Sequence, residues 1–267
     1  MDLIQSFITS KGGATVGGIS FYYSEGKLQM RQASGPSGKQ IKTKASCAGI
    51  RKNNTEFACA SQLGRSMRIR IGLVLKHFAD SQISGRLTGL FRTVIKHGAG
   101  IPGQREFNPY LHAELLHGFE CNRHTIFHDV WKPDITCTRS KDTHDYIVQM
   151  DVNPSKDITA PAGATHARFT LISLAIPVIG YDADRKKYIQ ENARSIHASF
   201  KQKAAIDFKV FPLSVKDTVS HTLHINGLPD DIESGSGVMV CLYGVSFYTG
   251  DTLMREGAVM KVGEVVW

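Results

Sequence analysis

FTLISLAIPVI, residues 169–179, is almost wholly apolar, which predicts a central β-strand that bends or is released at Pro177, since proline has no amide to give a sheet ladder. The runs on either side belong to the same architecture. From about Phe119 onward, strand-like segments at 125–131, 135–139, 146–152, 167–179, 195–200, 205–211, 222–225, 238–248 and 258–267 are separated by turn signals at the spacing of a β-sandwich, Ig-like or jelly-roll-like. VMVCLYGVSFY (238–248) alternates imperfectly, and the closing Val265-Val266-Trp267 predicts a C-terminal end tied into a sheet or an interface.

Upstream the periodicity changes. In RKNNTEFACASQLGRSMRIRIGLVLKHF, residues 51–78, Phe57, Ala60, Gly64, Met67, Ile71, Val74 and Phe78 recur at intervals of three and four, the spacing of one helical face. Asn53, Asn54 and Thr55 offer capping oxygens, and Glu56 would sit at the positive end of the helix dipole. Ala60 and Gly64 are small enough to let a neighbouring backbone come close. After Asp80 and Ser81 a second stripe, Ile83, Leu87, Leu90, Phe91 and Val94, ends near Gly98, so the two segments predict an antiparallel helical hairpin. One or two helical turns are expected within 110–117.

At the N-terminal end, Ile19-Ser-Phe-Tyr-Tyr23, a Ser24-Glu25-Gly26 turn and Lys27-Leu-Gln-Met-Arg31 predict a β-hairpin with Ile19, Phe21 and Tyr23 on one face, opposite Leu28 and Met30. Two strands are not stable alone, so the hairpin must lean on the rest of the chain or on another copy. Residues 33–52, ASGPSGKQIKTKASCAGIRK, carry five basic residues and no carboxylate, and predict an extended basic connector. The expected fold is therefore α+β: an N-terminal hairpin, connector and helical hairpin over 1–118, then a mostly antiparallel sandwich over 119–267.

Charge is polarised along the chain. Residues 1–105 hold 16 Lys+Arg against 4 Asp+Glu, and residues 106–267 hold 16 against 20, so the net +8 resolves into +12 and −4. Such asymmetry suits a polyanion, or attraction between opposite halves of neighbouring copies. Lys39, Lys42, Lys44, Arg51, Lys52, Arg65, Arg68 and Arg70 are the expected contact residues for either partner. Five cysteines with no CxxC pair read as free thiols. No signal-peptide pattern and no apolar run of membrane-spanning length is present, so the expected location is cytoplasmic, without membrane insertion.

Motifs that carry chemistry fail on inspection. Ala33-x-x-x-x-Gly38-Lys39-Gln40 approaches a phosphate loop but has Ala for its first glycine and Gln for its hydroxyl residue. Cys121, His124 and His128 would share a helical face suited to zinc, yet Thr125, Ile126, Phe127, Val130 and Trp131 favour a strand, on which the two histidines lie too far apart. His221 and His224 would project to opposite faces of a strand. Asp182/Asp184 and Asp230/Asp231 sit in turn-forming surroundings, and the first pair lacks the later ligands of a calcium loop. There is no G-x-S-x-G elbow. No cofactor and no catalytic constellation is expected.

In Gly38-Lys-Gln-Ile-Lys-Thr43, Arg51-Lys-Asn-Asn-Thr-Glu-Phe57 and Leu63-Gly-Arg-Ser-Met-Arg68, the chain resembles a group of uncharacterised proteins from Bacteroidota. In these a glycine-rich start and an FY hairpin lead into a similar basic R-x-N-x-x-E-F helix. The resemblance spans roughly the first 120 residues, including Leu115-Leu-His-Gly-Phe119, and implies no activity. The expectation is thus a non-enzymatic, self-associating subunit of a homo-oligomer such as a filament, tube or shell, with nucleic-acid binding through the basic N-terminal region as the alternative.

Overall fold

Glycine pairs and short alternating runs give the first folded element. The computed structural model describes residues 14–24, 27–32, 35–140, 145–189, 201–210, 218–225 and 237–266, which belong to two compact units, Met1–Arg51 and Lys52–Trp267. In the first unit β1 (Ala14–Val16), β2 (Ile19–Ser24) and β3 (Lys27–Gln32) form an antiparallel meander, one strand more than the expected hairpin. Gly17 (φ 59°) and Gly18 (φ 80°) make the β1–β2 turn, whose two positive φ angles suit the right-handed twist of a hairpin.

The connector is not extended. Gly38–Thr43 forms α1, capped by Ser37: the Gln40 amide donates to Ser37 Oγ (3.3 Å) and the Ser37 amide to Gln40 Oε1 (2.8 Å). This is the reciprocal Ser-x-x-Gln box, and it outweighs the glycine- and serine-rich composition. A 3-10 turn, Ala45–Cys47, leads into the long helix α2, Ala48–Ile71, which runs on into the second unit.

Within the second unit α2 buries Cys59, Ala60, Leu63, Gly64, Met67 and Ile71, whereas Phe57 is 50% exposed and off the stripe. The helix stops at Gly72, whose φ of 76° takes it out of helical geometry, and a 3-10 turn (Gly72–Val74) passes to a single turn, α3 (Leu75–Phe78). Then α4, Ile83–His97, packs back on α2. A Cβ on Gly64 would lie 3.5 Å from Leu87 Cβ, and Asn53 near the start of α2 accepts a hydrogen bond from Arg92 late in α4, so the pair is antiparallel as expected. Because α2 begins before Asn53, that residue and Asn54 and Thr55 are interior to the helix and do not cap it.

After a loop with one 3-10 turn (Ala113–Leu115), the segment expected as a strand at 125–131 is instead a four-residue helix, α5 (Phe127–Val130). Glu120 Oε1 accepts from the Phe127 amide (3.1 Å), satisfying a first-turn donor and tipping this short apolar run toward helix. The remaining elements are β4 (Ile135–Arg139), β5 (Tyr146–Val152), α6 (Pro154–Asp157), β6 (His166–Pro177), β7 (Gly180–Asp182), β8 (Lys187–Ile189), β9 (Lys201–Lys209), β10 (Val219–Ile225), β11 (Gly237–Thr249), β12 (Thr252–Leu253) and β13 (Val259–Val266). The strand expected at 195–200, the pair Asp230/Asp231, the Glu25-Gly26 turn and Trp267 lie outside the described residues.

All named pairings are antiparallel. β10-β5-β4 form one sheet; β11, β6 and β9 lie side by side in a second, with β12 and β13 on the other edge of β11. β6 is central, as its apolar run predicts, and ends at Pro177. The imperfect alternation of β6 and β11 has a simple cause: both faces are covered. Ile172, Leu174, Ile176, Val238, Val240 and Leu242 join the core made with α2 and α4. Their odd-numbered neighbours, such as Phe169, Leu171, Met239, Tyr243 and Phe247, join a second core with Tyr146, Val148, Met150 and Val152 of the smaller sheet. The second unit is a helical layer on a sandwich-like pair of sheets, and the division expected between 118 and 119 falls inside the core that helices and strands share.

Candidate functional site

The basic residues are divided between the two units. In the first unit Lys39, Lys42 and Lys44 are exposed on and just after α1. Arg51 is turned inward, where Nη1 donates to the carbonyls of Ile41 (2.7 Å) and Lys44 (2.8 Å), so it serves the chain reversal after α1. In the second unit Lys52, Arg65 and Arg70 are exposed on α2, and Arg68 is half-buried. Lys52 and Arg70 are roughly 27 Å apart along the helix axis at 1.5 Å per residue, which spreads the charge rather than focusing it.

Glu56, expected at a helix start, is instead 2% exposed and belongs to an ion pair. Its Oε1 accepts from the Gly103 amide (2.7 Å) and Arg105 Nε (2.9 Å), and its Oε2 from Arg105 Nη2 (2.8 Å). Burial alone would raise this carboxyl; the Arg105 guanidinium and the Gly103 amide outweigh it and hold the group below its ordinary value. Arg105 also donates to the Lys96 carbonyl, and its own carbonyl accepts from Tyr188 Oη (2.7 Å). One fork thereby ties α2, the loop after α4 and β8 together. The signal was present in the sequence, because Glu56 stands four residues before Ala60, on the buried stripe.

A second polar network closes the other end of the helical hairpin. Asp80 accepts from the amides of Gln82 (2.8 Å) and Arg123 (3.1 Å) and pairs with Arg86 (2.9 Å), which also donates to the carbonyls of Glu120 and Cys121. Burial pushes the Glu120 carboxyl above its ordinary value despite Lys261 and Arg86 nearby, and its Oε2 is buried without a hydrogen-bond partner. Both networks join backbone segments, and Asp80 of the second also lines a groove at the α2–α3 break.

Concavities among the described residues of the second unit include the following two. A groove of about 550 Å³ at the α2–α3 break is lined by Arg68, Ile69, Leu73, Lys76 and Ile83, with Ile69 63% and Leu73 76% exposed. A smaller hollow of about 430 Å³ on the outer face of the smaller sheet is polar, with Asp134, Thr136, Gln149, Asp151 and Ser220; Ser220 Oγ donates to Asp151 Oδ1 (2.5 Å).

The residues weighed for metal and acid–base chemistry are dispersed. Cys121 is buried, its thiol pushed up to about 12 by burial, while His124 and His128 are exposed. His221 packs edge-on against Phe208 (4.9 Å between ring centres), which lowers its pKa by burial, and His224 is exposed on the next side of β10. Asp182 Oδ1 accepts the amides of Asp184 and Arg185, an Asx turn closing the β7–β8 hairpin. Among the described residues no three His, Cys, Asp or Glu side chains are placed to hold one ion, and no helix is long and apolar enough to cross a membrane. Lys39 of the phosphate-loop-like run lies in the first turn of the six-residue α1.

Compared with protein-family models, curated proteins and solved structures, the chain matches none.

The meander of the first unit has one apolar face. Its pairings, Val16 with Ile19, Phe21 with Met30 and Tyr23 with Leu28, gather these six side chains on one face. Thr15, Ser20, Tyr22, Gln29 and Arg31 occupy the other, where Thr15 and Ser20 share a hydrogen bond and Arg31 lies over the Tyr22 ring. On the apolar face Val16 is 62% exposed, Ile19 41%, Leu28 49% and Met30 73%.

Proposed function

We propose that this chain is a non-enzymatic structural subunit that associates with further copies of itself, and that the apolar face of β1–β3 is the contact. The observation that carries this reading is the exposure of Val16, Ile19, Leu28 and Met30 on that face. A three-stranded sheet with four large apolar side chains at 41–73% exposure gains little by folding alone, and burying each side chain fully would contribute on the order of 1.5–3 kcal/mol. The opposite net charges of the two parts of the sequence, +12 and −4, favour a second copy as the occupant. Contacts between unlike surfaces close a ring or propagate as a filament, tube or shell. Light scattering and electron microscopy over a wide concentration range test it: concentration-dependent assembly is expected, and monomers throughout contradict it.

A second reading, polyanion binding, draws on the exposed Lys39, Lys42 and Lys44, three cations within six residues and no carboxylate among them. If it holds, labelled single-stranded DNA binds with an affinity that falls steeply between low and moderate salt. Binding that is absent or insensitive to salt removes it.

A further inference from the structure

The groove at the α2–α3 break is lined by aliphatic and cationic side chains together. The buried stripe of the helices passes from Met67 and Ile71 to Leu75 and Phe78, so Ile69 and Leu73 fall outside it and stand 63% and 76% exposed. Gly72, at φ 76°, ends α2 between them, and the chain turns through Gly72–Val74 and residues 79–81 before α4 begins at Ile83. These turns frame a space of about 550 Å³, within the range of about 300–1,000 Å³ typical of small-molecule sites. Exposed aliphatic side chains are ordinary when scattered singly; here two of them line one concavity.

The positive charge in this lining has no counterpart. Among the described residues no carboxylate lies in ion-pair range of Arg68 or Lys76, and Arg68 Nε is buried without a hydrogen-bond partner. Asp80 also lines the groove, but its carboxylate is already engaged. Its Oδ1 accepts from the Gln82 amide, its Oδ2 accepts from the Arg123 amide, and Arg86 balances its charge at 2.9 Å. An anion seated here therefore meets two cations with no competing protein partner, beside apolar surface that a small inorganic anion would not use.

We propose that this groove binds an aliphatic monocarboxylate, its chain against Ile69, Leu73 and Ile83 and its carboxylate balanced by Arg68 and Lys76. The two parts of the lining select this class together. A neutral aliphatic chain leaves both cations without a counter-charge, and a phosphate backbone satisfies the cations only by lying against Ile69 and Leu73, which offer its oxygens no hydrogen bond. An acidic amphipathic helix docks through successive apolar anchors at i, i+3, i+4 and i+7, whereas the exposed large aliphatics of this groove are Ile69 and Leu73. The site lies wholly within the second unit, so it stands or falls independently of self-association through β1–β3.

Isothermal titration calorimetry of the full-length protein with decanoate, kept below its micelle-forming concentration, tests the proposal. The expected result is saturable binding at one site per chain, with decanol and acetate each at least about tenfold weaker, because each lacks one half of the match. Lys76→Glu should weaken decanoate roughly three- to tenfold and Leu73→Asp about tenfold or more. Both side chains are exposed, so circular dichroism should be unchanged in each variant. Should a variant fold poorly, a diazirine analogue of decanoate locates the site on the wild-type protein, with cross-links expected within residues 68–83. Absent or non-saturable binding, decanol or acetate binding as tightly as decanoate, folded variants that bind like the wild type, or cross-links confined to other segments, the meander included, would each overturn the assignment.

Discussion

Arg105 is the residue whose loss should be felt most in the helical layer. Its guanidinium is the main partner of Glu56, a carboxylate 2% exposed, and truncation leaves that charge buried beside one amide. Breaking a buried pair from one side costs about 3–5 kcal/mol, and since Arg105 is itself 22% exposed, Arg105→Ala should fall at the low end, read as a lower midpoint in urea unfolding. The sign in pH follows from the direction of the shift. The Glu56 carboxyl is depressed in the folded state, so its contribution is present above the unfolded value of about 4.3 and is lost as pH falls through the lower folded value. Glu120 works the opposite way. Its raised folded value means that stability declines as pH climbs from about 4.3 through that value, and Glu120→Gln should flatten this decline while keeping the acceptor for the Phe127 amide. Stability curves of the wild type and the variant between pH 4 and 7 check this; parallel curves would refute it. Individual roles were the least legible part of the sequence. Glu56 could be placed on a helix from its neighbours, but its partner Arg105 lies 49 positions away, and only the folded chain brings Gly103 and Arg105 to it. Arg51 likewise reads as a surface cation, because its carbonyl acceptors, Ile41 and Lys44, lie 10 and 7 positions earlier in the chain.

Helices and strands were legible wherever burial was one-sided or complete. β6 and β11 show in the sequence as unbroken apolar runs, and the α2 and α4 stripes as three-and-four spacing, because tertiary packing there agrees with local pattern. Disagreement arose in short elements, where one hydrogen bond decides. α1 rests on the Ser37–Gln40 box inside a stretch whose composition suggests a linker, and α5 rests on Glu120 capping a run rich in strand-forming residues. Gly64 and Gly72 illustrate how alike residues differ in role. Gly72 holds a positive φ at the end of α2, so Gly72→Ala should cost about 1–2 kcal/mol through left-handed strain. Gly64 is helical, and an added methyl would make ordinary contact at 3.5 Å with Leu87, so Gly64→Ala should be neutral or gain up to about 1 kcal/mol in helix propensity. Thermal melts of the two variants should therefore move in different directions, and an equal drop in both would contradict the description of α2.

For the whole molecule, the α+β class and the antiparallel strands followed from pattern alone, whereas the three-layer arrangement did not. Periodicity shows that β6 is buried; it does not show that one face of its sheet meets helices and the other a second sheet. The charge asymmetry was likewise visible, yet its arrangement was not, because Lys39, Lys42 and Lys44 belong to one compact unit and Lys52, Arg65, Arg68 and Arg70 to another. The N-terminal strands were legible as a hairpin in need of support. β1 and the gathering of Val16, Ile19, Phe21, Tyr23, Leu28 and Met30 on one face were not. Leu28 and Met30 project from β3, all six residues of which are exposed, so charging them should leave the second unit folded. Sedimentation velocity of the wild type and the double variant Leu28→Lys/Met30→Lys, each with unchanged circular dichroism, bears on self-association most directly. Concentration-dependent assembly of the wild type and a monomer for the variant are the predicted results; a wild type that stays monomeric, or a variant that assembles equally well, would contradict the account.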